Sequence, residues 1–327
     1  MILRWLGGED EGKRDIVENN FKTFLVVNPK SAGGNTERDW PEIRAGAEKV
    51  LGEFAFAFTS GPMDATAVTR RALRKGYELI VSVGGDGTNN EVINGFFEAD
   101  GERLLSSEAV FGVLSMGSGG DFRKSPGWRV DLAEGLERLR GRRTRRIDAG
   151  KLTFVDHRGE EARRYFINIA SFGVSGAVMN RVNRSSKLLG GRLTFLLSTV
   201  QSLFAYRNKR VELWIDDRFA GERIINNVAV ANGRYFGAGM HVAPRARLDD
   251  GLFDVVIIGD LGFWDFVFHG DRIYRGTHLE WGEVEYLRAR KVVASSDEEV
   301  LIEVDGEQPG RLPAIFEVLP GAIRLKV

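Results

Sequence analysis

Residues 79–93 read Leu79-Ile80-Val81-Ser82-Val83-Gly84-Gly85-Asp86-Gly87-Thr88-Asn89-Asn90-Glu91-Val92-Ile93. Leu79 to Val83 is a short apolar run with the look of a strand buried on both faces, and it stops at Gly84-Gly85. A helix is expected from about Asn89, burying Val92, Ile93, Phe96 and Phe97. Gly84 to Thr88 between them sets bare backbone amides beside a helix N-terminus, where the absence of side chains and the helix dipole both favour a phosphate. A glycine-rich turn with a purely structural purpose reads the same way. The neighbouring loops have to decide.

Outward from this stretch, strands and helices alternate. Phe24 to Val27 is an apolar strand that leaves through Asn28-Pro29 and Gly33-Gly34. Thr36 is expected to cap a helix with Trp40, Ile43, Ala47 and Val50 at helical spacing, and Phe54 to Phe58 follows as a strand. Asp64 is expected as the N-cap of a helix carrying Ala65, Val68, Ala72 and Leu73, and Val110 to Leu114 supplies a fourth strand. Such alternation predicts an α/β domain, doubly wound, with a mainly parallel sheet covered on both faces. Three loops, Asn28 to Gly34, Gly84 to Thr88 and Ser115 to Phe122, then leave the same sheet edge and describe a phosphate-binding crevice. Neither GxGxxG nor GxxxxGK[ST] occurs in the required strand-to-helix setting, which weakens the dinucleotide and Walker readings.

Beyond about Ala149 the texture changes to short β-rich runs: Tyr165 to Ala170, Val211 to Ile215, Val228 to Ala231, Phe253 to Ile258, Val292 to Ala294 and Val300 to Val304. With helical insertions at Ser186 to Tyr206 and Trp264 to Tyr274, this predicts a mainly antiparallel C-terminal β-sandwich with appended helices. The 327 residues accordingly divide into an N-terminal extension (1–20), an α/β domain (21–148, with 319–327 returning to it) that carries the phosphate-binding crevice, and a β-sandwich domain (149–318).

Bulk properties narrow the function classes. Lys plus Arg and Asp plus Glu both number 46, so global charge steers the chain toward neither nucleic acid nor an anionic bilayer. The absence of cysteine excludes disulfides, thiolate metal sites and a cysteine nucleophile. The N-terminal 20 residues lack a signal-peptide h-region, and the longest apolar stretch, Leu193 to Tyr206, falls short of the roughly 20 residues of a spanning helix. The four histidines lack HExxH spacing, and the GxSxG at Gly173 to Ala177 fails at its last position. The basic run Arg138, Arg140, Arg142, Arg143, Arg145 and Arg146 reads first as a charged helix C-terminus, of a helix begun by Asp131 with Glu134 in capping-box spacing; binding of anionic lipid headgroups is the competing reading. Without interleaved aromatics it does not read as a nucleic-acid surface. Leu188, Leu189, Leu193, Phe195, Leu196, Leu197, Val200, Leu203 and Phe204 give one helix more apolar surface than a single buried face needs. Lining a lipid site, touching a bilayer, and packing in the core or in a homodimer all fit that surplus.

The order of these loops resembles the lipid kinase family that includes diacylglycerol, sphingosine and ceramide kinases, in its bacterial form, over nearly the whole chain. The residues that carry the resemblance are Asn28-Pro29 with the following glycines, Thr59-Ser60-Gly61-Pro62 before Asp64-Ala65, Gly84 to Thr88 with Asn90-Glu91, and Gly117-Ser118-Gly119 before Asp121-Phe122. It continues through Ile147-Asp148-Ala149-Gly150, Asn232-Gly233, Ala243-Pro244 before Asp249-Asp250-Gly251, and Val304-Asp305-Gly306-Glu307. The resemblance implies ATP between the domains, held by Asn28, Pro29, Lys30, Ser31, Ala32, Thr59, Gly85, Asp86, Gly87, Thr88, Asn89, Asn90, Glu91 and Ser118. It implies Glu307, within Asp305-Gly306-Glu307, as the general base toward a lipid hydroxyl, and Asp86, Asp121 and Asp148 as an acidic network near Mg²⁺. A separate structural Mg²⁺ is implied on the Asp250 carboxylate and the carbonyls of Arg247 and Leu252. A cytoplasmic enzyme is implied, meeting its lipid substrate, diacylglycerol or a relative of it, at the inner membrane surface.

Taken alone, Asp305-Gly306 reads as a hairpin turn with a solvated glutamate after it, Asp121 as a helix cap and Asp148 as an ion-pair partner of the preceding arginines. Two positions depart from the family pattern: Gly120 stands where an asparagine is usual, and Met116 where a proline is usual. Two other functions fit the same loops. NAD kinase shares the Gly-Gly-Asp-Gly loop, and a nucleotide-binding accessory protein would keep the fold without turnover.

Overall fold

The computed structural model describes residues 21–99, 103–117, 120–184 and 199–327. In its N-terminal half, strands β1 (Thr23–Val27), β2 (Phe54–Phe58), β3 (Leu79–Gly84) and β4 (Val110–Ser115) pair in parallel in the order β2-β1-β3-β4. Helices α1 (Asn35–Leu51), α2 (Asp64–Arg74) and α3 (Asp86–Gly95) make the crossovers. Strand periodicity divides the side chains between two layers. Leu25, Val27, Leu79, Val81 and Val83 pack with Trp40, Ile43, Ala47 and Leu51 of α1, while Val26, Ile80 and Phe111 pack with α2 and α3 on the other face. Each fully buried side chain of this kind contributes roughly 1.5–3 kcal/mol, and both faces are used. The doubly wound architecture follows directly.

The C-terminal half is mainly antiparallel. A path of β14 (Leu301–Val304), β7 (Ile169–Gly173), β10 (Asn227–Ala231), β11 (Phe253–Ile258) and β12 (Val284–Ala289) forms one part. β13 (Lys291–Ser295), β8 (Lys209–Ile215) and β9 (Arg218–Ile225) form another, and β5 (Thr144–Asp156) with β6 (Glu161–Phe166) a third. Phe154, Phe166, Phe172, Phe253, Ile302 and Phe316 fill the space between. The halves are joined by β15 (Glu307–Lys326), which pairs along its length with β5 and ends parallel to β4, Arg324 opposite Val110. The chain therefore passes residue 148 inside a strand, with no linker there.

Several local expectations change. Gly34, not Thr36, occupies the N-cap of α1; Thr36 lies one residue inside, fully buried, with its hydroxyl 2.6 Å from that of Ser31. Met63 takes the N-cap of α2, and the Asp64 carboxylate turns back to accept from the Ser60 amide and hydroxyl at 2.8 Å each. α3 starts at Asp86 rather than Asn89, so the glycine loop shrinks to Gly84-Gly85 and the rest is the first helical turn. The run Tyr165 to Ala170 is broken at Ile167-Asn168, because the amides of Ile167 and Ile169 go to the Asp305 carboxylate. Trp264 to Tyr274 is two short helices, α7 (Phe263–His269) and α8 (Asp271–Arg275), separated at Gly270.

Asp131 does cap α4 (Leu132–Arg138), accepting from Glu134 N at 2.8 Å, but the arginine run outlasts that helix. Arg138, Arg140 and Arg145 pair with Glu134, Glu137 and Asp249, and Arg142 lies over the ring of Phe21. Most of the expected apolar helix, including Leu188 to Leu197, lies outside the described residues, which hold α5 (Val174–Arg184) before that stretch and α6 (199–205) after it. Among the described residues no helix is long and apolar enough to cross a membrane.

Candidate active site

The loops after β1, β2, β3 and β4 open at one sheet edge and bound a cavity of about 610 Å³. Asn28, Lys30, Ser31, Ala32, Thr59, Gly85, Asp86, Gly87, Thr88 and Glu91 line it, as the sequence anticipates, and Glu307 closes it from the other half. Asn28 Nδ2 donates to Thr88 Oγ1 at 3.0 Å and ties the first loop to the first turn of α3. Gly85 at the N-cap leaves the amides of that turn facing the cavity without a side chain in front, the arrangement that receives phosphate. Gly84 permits it: a Cβ there would stand 2.5 Å from Thr88 Oγ1. Gly84→Ala is therefore expected to displace Thr88 and the helix start, costing about 1–3 kcal/mol of stability and weakening nucleotide binding. Denaturant melts and nucleotide titration of the variant measure both effects.

Other expected contacts are redistributed. The Pro29 carbonyl accepts from Glu37 N and does not face the cavity. Asn89 and Asn90 are buried below it; Asn90 Nδ2 donates to Tyr165 O at 2.9 Å and to Asp305 Oδ2 at 3.0 Å, bridging the halves. Ser118 lies outside the described residues. Ser60, Gly61, Pro62, Ala65, Met116, Gly117 and Gly120 also line the cavity, apart from the residues singled out as nucleotide contacts. Gly120 has φ of +85°, a left-handed conformation that asparagine also adopts, so the backbone geometry suits either residue.

A second cavity, of about 310 Å³, lies in the C-terminal half and is mostly apolar. Val174, Val178, Met179, Leu203, Phe266 and Ile273 supply its greasy wall, from α5, α6, α7 and α8. Its polar wall holds Asp86, Asp121, Glu303, Asp305 and Gly306. Asp86 lines both cavities, and the consecutive residues Gly306 and Glu307 line one each. The two spaces meet at this shared wall.

The acids there are held in different ways. Asp86 accepts from the amides of Asp121 at 2.6 Å and Phe122 at 3.3 Å, and burial pushes its carboxyl up, reinforced by the charge of Asp121. Asp121 accepts from Lys124 Nζ at 2.6 Å and from Ala238 N at 2.9 Å. At the head of the short helix Phe122–Lys124 it makes no side-chain cap. Asp305 and Glu303 are enclosed, and burial pushes both carboxyls up to about 7. Glu307 stands apart at 36% exposure, and Arg164 Nη2 approaches it only to 3.9 Å. A carboxylate that reaches the cavity, free of a tight cation, is what a general base requires. Glu91 also reaches the cavity but is tied to Ala65 N at 3.1 Å.

Asp148 does not join this group. Its oxygens accept from Gly251 N and Gly321 N, 2.7 Å each, and among the described residues no arginine pairs with it; Arg145 bonds Asp249 instead. Burial raises the Asp148 carboxyl, and the charges of Asp250 and Asp249 add to the effect. These acids belong to the loop Arg247 to Leu252, where carbonyl and carboxylate oxygens are the donors a hard cation takes. The buried Asp254 Oδ2 close by has no hydrogen-bond partner among the described residues, with Arg288 Nε 3.9 Å away. The donor set fits Mg²⁺, with Arg288, paired to Asp250, as its competitor. Among the described residues no three His, Cys, Asp or Glu side chains converge to hold an ion by themselves. Glu303 and Lys124 were not singled out from the sequence; Lys124, three residues after Asp121, offered only a helical spacing as a signal.

Comparison with known proteins agrees with this geometry. Residues 22–152 match the diacylglycerol kinase catalytic domain, and residues 168–327 the YegS C-terminal NAD kinase beta sandwich-like domain. A diacylglycerol kinase of Staphylococcus carnosus is 30% identical over 294 residues, 89% of this chain and 90% of the relative. One from Bacillus subtilis is 28% identical over 294 residues, 89% of this chain and 91% of the relative. A solved structure from Bacillus anthracis str. Sterne superposes at a TM-score of 0.74 with 22% identity, over 94% of this chain and 98% of that one, a likeness of fold. Two domains in family order, matched over nine-tenths of a relative at this identity, settle the choice among the three functions that the loops alone leave open: the chain belongs to the diacylglycerol kinase family and is a lipid kinase.

Proposed function

We propose that the enzyme transfers the γ-phosphoryl group of ATP to the free hydroxyl of diacylglycerol, with the nucleotide in the polar cavity and the acyl region in the apolar one. The observation that carries this reading is the shared wall: Asp86 borders both spaces, and Gly306 and Glu307 border one each. Glu307 accepts the hydroxyl proton as the oxygen bonds to the γ-phosphorus. The bond from that phosphorus to the β,γ-bridging oxygen breaks, and ADP leaves with the electron pair. The amides at the start of α3 face the phosphates, and Lys124, 2.6 Å from Asp121, supplies positive charge beside the acids. Asp86 and Asp121 would hold Mg²⁺, which would offset phosphate charge, and the Asp250 carboxylate with the carbonyls of Arg247 and Leu252 would hold a second ion. Transfer of labelled phosphate from Mg-ATP to diacylglycerol, a sphingoid base and NAD, compared side by side, tests the acceptor. Label on diacylglycerol supports the reading; label on another acceptor, or on none, overturns it.

Membrane contact belongs to the same proposal. Trp264 (63% exposed), Phe268 (71%) and Phe204 (74%) stand out on α7 and α6, beside Leu203 and Phe266 of the apolar cavity. The rings of Trp264 and Phe268 stack with centroids 6.1 Å apart. Aromatic side chains at the mouth of a lipid cavity suit an interfacial anchor. The double variant Trp264→Ser, Phe268→Ser is expected to weaken binding to phospholipid vesicles on the order of tenfold for each ring lost, with turnover of a short-chain, water-soluble acceptor maintained. Vesicle sedimentation paired with that assay distinguishes an anchor from a structural role.

A further inference from the structure

The turn that presents Glu307 is fixed from inside the sheet. Asp305 has φ of +45° and Gly306 of +92°, so both residues of the β14–β15 turn are left-handed. The Asp305 carboxylate holds the first of them, accepting from Ile167 N, Ile169 N and Asn90 Nδ2. Glu303, four residues before Glu307 on β14, holds the second: its Oε1 accepts from Gly306 N at 2.7 Å. Its Oε2 accepts from the Ser171 hydroxyl on β7 at 2.5 Å, and that hydroxyl lies 2.8 Å from Ser175 Oγ on α5. The Ser175 amide in turn donates to Asn227 Oδ1 at 3.1 Å. A continuous chain of hydrogen bonds runs from β10 to the amide preceding Glu307. Among the described residues Glu303 bonds no cation, and its charged neighbours Asp305 and Asp121 are acids, Asp121 being itself paired with Lys124. A buried carboxylate in acidic surroundings is costly to keep, so its two short bonds identify what it does there.

The geometry points to Glu303 as a positioning residue, which holds the Gly306 amide and thereby aims the Glu307 carboxylate at the acceptor hydroxyl. The inference rests on the lipid kinase reading of Glu307. Glutamine at 303 keeps both links: its carbonyl accepts from Gly306 N and its amide donates to Ser171. Alanine keeps neither.

The test has two independent readouts on wild type, Glu303→Gln and Glu303→Ala, with melting curves to establish that each variant is folded. The first is hydrogen exchange of the Gly306 amide, followed by NMR without substrate. Glu303→Ala is expected to speed this exchange by about tenfold or more, and Glu303→Gln to leave it slow. The second is phosphate transfer: kcat of Glu303→Ala is expected to fall about 10–100-fold with the ATP KM unchanged, while Glu303→Gln recovers most of kcat. Exchange at Gly306 indifferent to the alanine overturns the restraint whatever the activity. Faster exchange with unchanged kcat, or an equal loss of kcat in both variants, overturns the positioning role. A wild type that protects Gly306 but labels no lipid overturns the lipid kinase reading of Glu307 and takes the positioning role with it, leaving only the restraint.

Discussion

Glutamine in place of Glu307 is expected to lower kcat for lipid phosphorylation by roughly 10²–10⁴-fold, with ATP binding nearly unchanged. The substitution alters one oxygen, conserves volume, and touches a side chain that is 36% exposed at the start of β15, so folding has little reason to respond. Proton acceptance is what the amide cannot do. Glu91 provides the internal comparison, because it lines the same cavity. Its Oε2 is engaged by Ala65 N, and burial has raised its carboxyl, with the charge of Glu307 contributing. Glu91→Gln should therefore act mainly through the α2 N-terminus and reduce kcat far less. Transfer assays at saturating ATP and lipid, with ATP affinity measured separately, decide the matter. Equal losses in the two variants, or a Glu307→Gln enzyme within a few-fold of wild type, would remove Glu307 from the base role.

How much of this was legible in the sequence depended on whether local pattern and tertiary structure agreed. Leu79 to Val83 and Val110 to Leu114 were readable because strands buried on both faces are continuous apolar runs; the half-exposed edge strand Phe54 to Phe58 and, in the antiparallel half, Phe253 to Ile258 also appear at their expected bounds. The long strand β15 was not readable: Pro309, Pro313 and Pro320 punctuate it as turns would. The structure absorbs two of these irregularities in register shifts against β5, between Arg311 and Ala314 and between Leu319 and Ile323. β9, with Arg218, Glu222 and Arg223, lacked the apolar content of a strand because much of it is exposed. In the site, the family motifs led to Asn28, Gly85 to Thr88 and Glu307, all of which line one cavity. They could not separate Asp148 from Asp86 and Asp121, since spacing along a chain does not say which sheet edge an acid reaches. Glu303 was hidden for another reason. Within Leu301 to Val304 it reads as the outward residue of an alternating strand, and only the pairing of β14 beside β7, which sets Glu303 opposite Ser171, and the packing of α5 against β14 enclose that position.

Enclosure of Glu303 and Asp305 ties stability to pH with a definite sign. Burial raises both carboxyls from ordinary values near 4.5 and 3.8 to about 7 in the folded protein. Between those limits the folded chain holds protons that the unfolded chain has released, so unfolding liberates protons and stability falls as pH rises. The contribution is complete below about pH 4 and is lost as pH passes through 7. A shift of this size in Asp305 alone corresponds to about 4 kcal/mol, and the two acids, repelling one another, titrate as a pair. His241 and His278 oppose the trend, because burial lowers their pKa and favours folding as pH rises. The decisive quantity is therefore the difference between wild type and Asp305→Asn, in which the histidines cancel. Asparagine retains an oxygen for Asn90 Nδ2 or Ile169 N but takes up no proton. In urea titrations from pH 5 to 8 the variant should gain on the wild type by a few kcal/mol, most of it between pH 5 and 7, with the two curves running parallel above that. Curves parallel over the whole range would mean that Asp305 stays ionised in its enclosure. In that event the hydrogen bonds from Asn90, Ile167 and Ile169 compensate the burial fully, and the negative charge at the wall between the two cavities is permanent.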